Sequence, residues 1–221
     1  LNISSANITI KGAKSGDNLG ISIASGDINN DGIQDIIAGA WGSDPSGRSK
    51  AGEAYVIYGS ASFGVNKTID LNLVRANITI RGANVSDGLS GAVASGDINN
   101  DGIDDFVLGN NGYDSSKGRI YVIYGSANYG TNKIIDLDIV KANISVTTTS
   151  SLNLGSGIWS DDVNKDGISD IIAGANIAQS NKGEGYVIYG SANYVNNKEF
   201  NLNTVSANIT IRGAVGYQIG G

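Results

Sequence analysis

The chain runs to 221 residues, enough to bury a sizeable core, and its 15 lysines and arginines stand against 21 aspartates and glutamates for a net charge of −6. It contains no Cys, no His and no Met, and one Pro beside 32 glycines. This excludes disulfides, thiolate nucleophiles, imidazole bases and Cys- or His-ligated metals, and the acidic balance argues against a nucleic-acid or anionic-membrane surface. No apolar run approaches the ~18 residues of a spanning helix. The chain opens at Leu1 without a signal-like segment, and reads as a piece of a longer protein, for which a missing leader says nothing about secretion.

In chain order, the first pattern is Ala6-Asn-Ile-Thr-Ile10, a short alternating strand. Ile21–Ser25 alternates again, and an Asp- and Asn-rich loop follows from Asp27. Asp35–Gly39 is a short apolar run, and residues 40–51 form a polar loop carrying Trp41, Asp44, Arg48 and Lys50. Gly52–Tyr58 is rich in β-formers, and Asn77–Arg81 alternates once more. The series then repeats. SGDINNDGI stands at 25–33 and again at 95–103, with a third version from Asp162 to Ile168. YVIYGSA stands at 55–61, 121–127 and 186–192, and the Ala-Asn-Ile pattern starts at Ala6, Ala76, Ala142 and Ala207. The unit is therefore 65–70 residues long and predicts about four strands, with no window of helical period.

Four antiparallel strands in tandem predict an all-β fold built of β-propeller blades. A stacked solenoid is the rival, but its units are usually shorter, at ~20–45 residues. The blades are expected at about 19–82, 89–147 and 154–213, with 1–12 and 214–221 as remnants of neighbouring blades. Three blades and two remnants fall short of an ordinary closed ring of ~4–8 blades.

Each unit carries one loop reading Asp-x-Asn-x-Asp-Gly-x-x-Asp. The copies are Asp27, Asn29, Asp31, Asp35; Asp97, Asn99, Asp101, Asp105; and Asp162, Asn164, Asp166, Asp170. Oxygens at positions 1, 3, 5 and 9, with the backbone carbonyl at position 7 (Ile33, Ile103 and Ile168), can wrap one hard cation, and an all-oxygen set favours Ca²⁺ over Mg²⁺ or Zn²⁺. An EF-hand needs a Glu at position 12, where this chain has Ala38, Leu108 and Ala173. The bland alternative, a metal-free Asp/Asn/Gly turn, suits any single copy but not three with identical spacing. Three divalent ions, one per complete repeat, would bring the net charge of −6 to zero. Extracellular calcium modules bind at roughly 10⁻⁴–10⁻³ M, which fits millimolar calcium outside cells.

These residues resemble the FG-GAP repeat of integrin α-subunit propellers. The first element corresponds to Leu19-Gly20, Leu89-Ser90 and Leu154-Gly155, and the second to Gly39-Ala40, Gly109-Asn110 and Gly174-Ala175. Ser90, Asn110 and the missing Pro depart from the pattern, and none of them touches the proposed ligands. The resemblance implies a calcium-binding extracellular adhesion module, not an enzyme, with a protein or glycan partner on the loops opposite the calcium face. Those loops are 40–51, 82–88, 110–117, 148–153 and 175–183, with Trp41 and Arg48 as speculative anchors. Alternatives are an accessory propeller of a secreted, phospholipase-like enzyme and a calcium-dependent lectin. Trp159 reads as core or channel lining, and the tyrosine pairs 55/58, 121/124 and 186/189 as packing between blades, since residues three apart in a strand face opposite sides. Seven Asn-x-Ser/Thr sequons, at Asn2, Asn7, Asn66, Asn77, Asn84, Asn143 and Asn208, are explained by strand alternation without glycans.

Overall fold

A computed structural model describes residues 7–150 and 152–213, and the remnant expected at 214–221 lies outside them. The described residues are all-β. The first complete blade is β2 (Ile23–Gly26), β3 (Asp35–Ala40), β4 (Glu53–Ile57) and β6 (Ile78–Arg81), joined antiparallel in that order. The second is β7 (Leu89–Gly96), β8 (Asp105–Asn110), β9 (Arg119–Ile123) and β11 (Ile144–Thr147). The third is β12 (Leu154–Asp161), β13 (Asp170–Ala175), β14 (Glu184–Ile188) and β16 (Ile209–Arg212). A further strand, β1 (Ile8–Lys11), precedes them. The middle strands β4 and β8 are buried along their whole length, as a strand with a sheet on each face must be.

The sequence pattern predicts four strands per unit, and the structure has a fifth. The connection from the third to the fourth strand of each blade contains a four-residue strand: β5 (Lys67–Asp70), β10 (Lys133–Asp136) or β15 (Lys198–Asn201). None joins its own blade. Instead β5 pairs parallel with β1, β10 with β6 of blade one, and β15 with β11 of blade two. Each complete sheet except the last thus has five strands, four from one repeat and one from the next. Among the described residues β16 pairs with β14 alone, and its Ile209 and Ile211 are exposed.

The hydrophobic core lies between the sheets. One cluster joins blades one and two through Ile37, Val56, Ile78, Phe106 and Leu108; a second joins blades two and three through Val107, Val122, Ile144, Ile171 and Ile188. Tyr121 and Tyr186 are buried in these layers and Tyr55 in a third cluster with Ala40, Ile57 and Ala76, while the Tyr58 hydroxyl on the opposite strand face reaches across to donate to the Gly130 carbonyl at 2.8 Å. Trp159, on the innermost strand of blade three, is 66% exposed and lines a cleft with Ile23, Ala24 and Val93 of the other inner strands, a channel-lining position. The repeated sequon residues Asn77, Asn143 and Asn208 each accept a hydrogen bond from a tyrosine backbone N–H, of residues 58, 124 and 189, so their side chains serve the fold.

Backbones of successive blades touch at the two short motifs. A Cβ on Gly39 would lie 2.2 Å from the Ser90 carbonyl oxygen, and one on Gly109 would lie 2.3 Å from that of Gly155. The glycine of the second motif in one blade therefore admits the backbone of the first motif in the next. Ser90 adds a hydroxyl there: fully buried, it donates to the Glu53 carbonyl at 2.5 Å and accepts from the Ala40 N–H at 3.2 Å.

Arg48, a speculative partner anchor, is engaged inside the fold. Its guanidinium pairs with Asp136 of β10 at 2.7 Å and donates to the Gly82 carbonyl at 3.0 Å, with the two charged side chains 16% and 9% exposed. It joins blade one to the strand that blade two lays against it. Arg48→Ala is expected to destabilise the chain by about 3 kcal/mol, because it leaves the largely buried Asp136 carboxylate without its cation, and Asp136→Ala by less, because Arg48 keeps the exposed Asp138 at 3.6 Å. The double variant should lose less than the sum of the two, as measured by urea unfolding; strict additivity would show that the pair is not coupled.

Candidate metal-binding loops

The three acidic loops connect the first and second strands of each blade, and all lie on one side of the blades. Their tips are built identically. In loop one the Asp31 N–H donates to Asp27 Oδ1 (3.0 Å) and Asn29 Oδ1 (3.1 Å), the Gly32 N–H to Asp27 Oδ2 (2.9 Å), and the Ile33 N–H to Asp31 Oδ1 (2.9 Å). The Asn29 amide donates to Asp31 Oδ2. Loop two repeats these bonds through Asp97, Asn99 and Asp101, and loop three through Asp162, Asn164 and Asp166. Gly32, Gly102 and Gly167 sit at φ of 82°, 86° and 86°, with open space where a Cβ would stand. The glycine requirement is therefore conformational and not steric.

Position 9 plays a different part. Asp35, Asp105 and Asp170 are fully buried at the base of the loop. Each accepts two backbone hydrogen bonds. The second loop residue donates to one oxygen (Ile28 3.1 Å, Ile98 3.0 Å, Val163 3.1 Å), and the glycine of the YGS motif donates to the other (Gly59 2.8 Å, Gly125 2.9 Å, Gly190 2.9 Å). Among the described residues no lysine or arginine forms an ion pair with any loop carboxylate. Burial, with some repulsion from Asp101 and Asp97, pushes the Asp105 carboxyl up to about 8 against the pull of its two N–H donors; Asp35 is raised for the same reasons. With no cationic side chain nearby, nothing but the two backbone N–H groups favours the ionised form of the buried carboxyl at the base of each loop.

Among the described residues no three acidic side chains converge into a metal-ready cluster. The carboxylates at positions 1 and 5 bend back onto the loop's own N–H groups, and position 9 is turned to the backbone beneath. The donor chemistry nevertheless fits a hard cation. Every candidate ligand is an oxygen, each carboxylate oxygen keeps a further lone pair, and the tips are open to solvent.

Neighbouring loops are also tied to one another. The Asp27 N–H donates to Asp104 Oδ2 at 2.8 Å and the Asp104 N–H returns to the Asp27 carbonyl; the Ser169 N–H reaches the Asp97 carbonyl at 3.0 Å. The Ser126 and Ser191 N–H groups of the YGS motifs donate to the carbonyls of Ile28 and Ile98 in the preceding blade. The sequence pattern points to neither Asp104 nor the YGS amides, although the lockstep recurrence of YGS with the acidic loop is the signal that could have found the latter. On the other side of the blades Trp41 is half-buried, with Lys50 Nζ 6.0 Å from its ring and Gly88 of blade two beside it.

Blades of four antiparallel strands with an acidic loop after the first strand define a β-propeller repeat. The chain carries FG-GAP repeats: the family model of that description matches residues 19–57 and 91–123. Phosphatidylinositol-glycan-specific phospholipase D of Bos taurus is 30% identical over 204 residues, covering 88% of this chain and 23% of that protein, and the Homo sapiens protein of the same name is 32% identical over 202 residues with the same coverage. Integrin alpha pat-2 of Caenorhabditis elegans is 28% identical over 193 residues, covering 79% of this chain and 14% of the integrin. The chain spans less than a quarter of the length of these relatives.

Gly102→Ala is expected to cost about 1 kcal/mol, the price of a left-handed conformation for an L-residue, and Gly102→Asn less. Thermal unfolding of both variants checks this; a greater loss for Asn than for Ala would mean that side-chain size, and not backbone conformation, limits the turn.

Proposed function

We propose that this chain is a calcium-stabilised interaction module of an extracellular or cell-surface protein. The observation that carries this reading is the threefold recurrence of one nine-position, all-oxygen loop with the same internal hydrogen bonds. In each copy Asp27, Asn29, Asp31, the Ile33 carbonyl and Asp35 would hold the ion; the corresponding sets are Asp97, Asn99, Asp101, Ile103, Asp105 and Asp162, Asn164, Asp166, Ile168, Asp170. A bound Ca²⁺ supplies the positive charge that the buried and clustered carboxylates lack, and stabilises the folded chain by linkage. These loops stand between blades, so their rigidity is transmitted to the stack. The partner, a protein or glycan, is assigned to the opposite loops. There Trp41 and exposed Val85 stand near a groove of about 540 Å³ formed by residues 84–87 with Gly112, Asp114 and Ser115.

Calcium titration of chelator-treated protein is expected to give three ions per chain, with Kd of roughly 10⁻⁴–10⁻³ M, and a melting temperature that rises with calcium. Asp31→Ala, Asp101→Ala and Asp166→Ala should each lower the count by one. Unchanged counts, or melts indifferent to calcium, would overturn the ligand assignment.

A second reading is supported by the phospholipase D matches, which extend over 88% of this chain. In it these blades are the accessory propeller of a secreted enzyme whose chemistry lies elsewhere in the polypeptide. Full-length protein should then cleave a glycosylphosphatidylinositol substrate while residues 1–221 alone do not; full-length protein without that activity favours the interaction module.

A further inference from the structure

The three acidic loops are alike inside their nine positions and differ just outside them, at the backbone N–H of the first residue. In loop one the Asp27 N–H donates to Asp104 Oδ2 at 2.8 Å, across from blade two, and the Asp104 N–H returns to the Asp27 carbonyl at 3.2 Å. In loop three the Asp162 N–H donates at 2.9 Å to Oδ1 of the residue before it, Asp161. Loop two has neither carboxylate. Ser169 stands where Asp104 stands and gives its own N–H to the Asp97 carbonyl at 3.0 Å, while Gly96 stands where Asp161 stands.

Packing explains the two routes. A Cβ on Gly26 would lie 3.0 Å from both Cβ and Oδ2 of Asp104, and one on Gly96 would lie 2.7 Å from Ser169 Oγ. The glycine before loops one and two therefore admits a side chain from the next blade. Before loop three the same position carries a carboxylate of its own. Asp104 belongs in sequence to loop two, yet its carboxylate is bound to loop one. Calcium affinity in loops of this kind is set by the carboxylates around the ion and by the rigidity of the backbone that carries them. A carboxylate that accepts from the N–H of the first ligand residue fixes that residue before any ion arrives. Asp27 and Asp162 are held in this way, and the corresponding carboxylate is missing at Asp97.

We propose that Asp104 and Asp161 are positioning residues that set calcium affinity from outside the loop pattern, so that loops one and three fill before loop two. The inference rests on the calcium reading of the loops, and its test separates the two. The full chain, freed of metal with chelator, is titrated with calcium chloride and followed by NMR at the backbone amides of Gly32, Gly102 and Gly167, one in each loop. The Gly32 and Gly167 signals are expected to saturate at about tenfold lower free calcium than that of Gly102. Asp104→Ser, which copies blade three, should erase the gap between loops one and two. Asp161→Gly, which copies blades one and two, should erase it for loop three. Ser169→Asp should close it from the other side by tightening loop two, since Gly96 leaves the space that Gly26 leaves for Asp104. Asp138→Ala, which removes an exposed carboxylate paired with Arg48, should move none of the three. A purely structural tie between blades would instead lower the melting temperature in chelator and leave the order of filling unchanged. If Asp104→Ser does not fold, the order in the unaltered chain and the responses to Asp161→Gly and Ser169→Asp still decide. Loops that fill together, or an order that these variants leave unmoved, would overturn this inference while the calcium reading stands. Glycine amides indifferent to calcium would overturn both.

Discussion

The fold turns on a buried carboxylate that has no cationic partner. In each blade the ninth loop residue sits at the start of the second strand, out of water, and is held by two backbone N–H groups. One comes from the loop above it and the other from the glycine two residues beyond the third strand. That single side chain thus sets the position of the hairpin tip against the sheet, and explains why the acidic loop and the YGS motif recur in step. It also places a carboxyl where only backbone dipoles favour its ionised form, so that an added cation would favour ionisation there.

The second constraint is that nearly every strong link joins one blade to the next. The core is inter-sheet, the third-to-fourth connections pair with the preceding blade, the YGS amides reach the preceding loop, and Arg48 spans to Asp136. A blade presents two faces that are apolar until covered. Ile28 and Ile98, in the first two loops, are fully buried, whereas Val163, their counterpart in the third, is 45% exposed. Stability on this plan is approximately a sum of neighbour terms, as in other repeat proteins.

Much of this was legible in the amino-acid sequence because the repeat supplies its own alignment. The all-β class, the four main strands per unit and the acidic loops all follow from patterns at constant spacing. The fifth strands were not legible. Lys67–Asp70, Lys133–Asp136 and Lys198–Asn201 are only four residues long, with two or three of the four polar, and their partners are contributed by another repeat. The same distance hid Asp104, whose partner Asp27 lies 77 residues away, and the fate of Arg48, whose partner Asp136 lies 88 residues on. At Asp35, Asp105 and Asp170 the sequence pattern points to a ligand, and the structure adds a staple between loop and sheet.

The parallel fifth strand puts the sequence period and the sheet out of phase. Four strands and their companion never come from the same 65–70-residue stretch, so a cut made anywhere between repeats severs a sheet. A duplication of one whole period, by contrast, recreates every junction unchanged, because each copy brings the strand its predecessor lacks and offers the edge its successor needs. Such an array can lengthen or shorten by unequal recombination without inventing a contact, which accounts physically for repeats that remain so nearly alike.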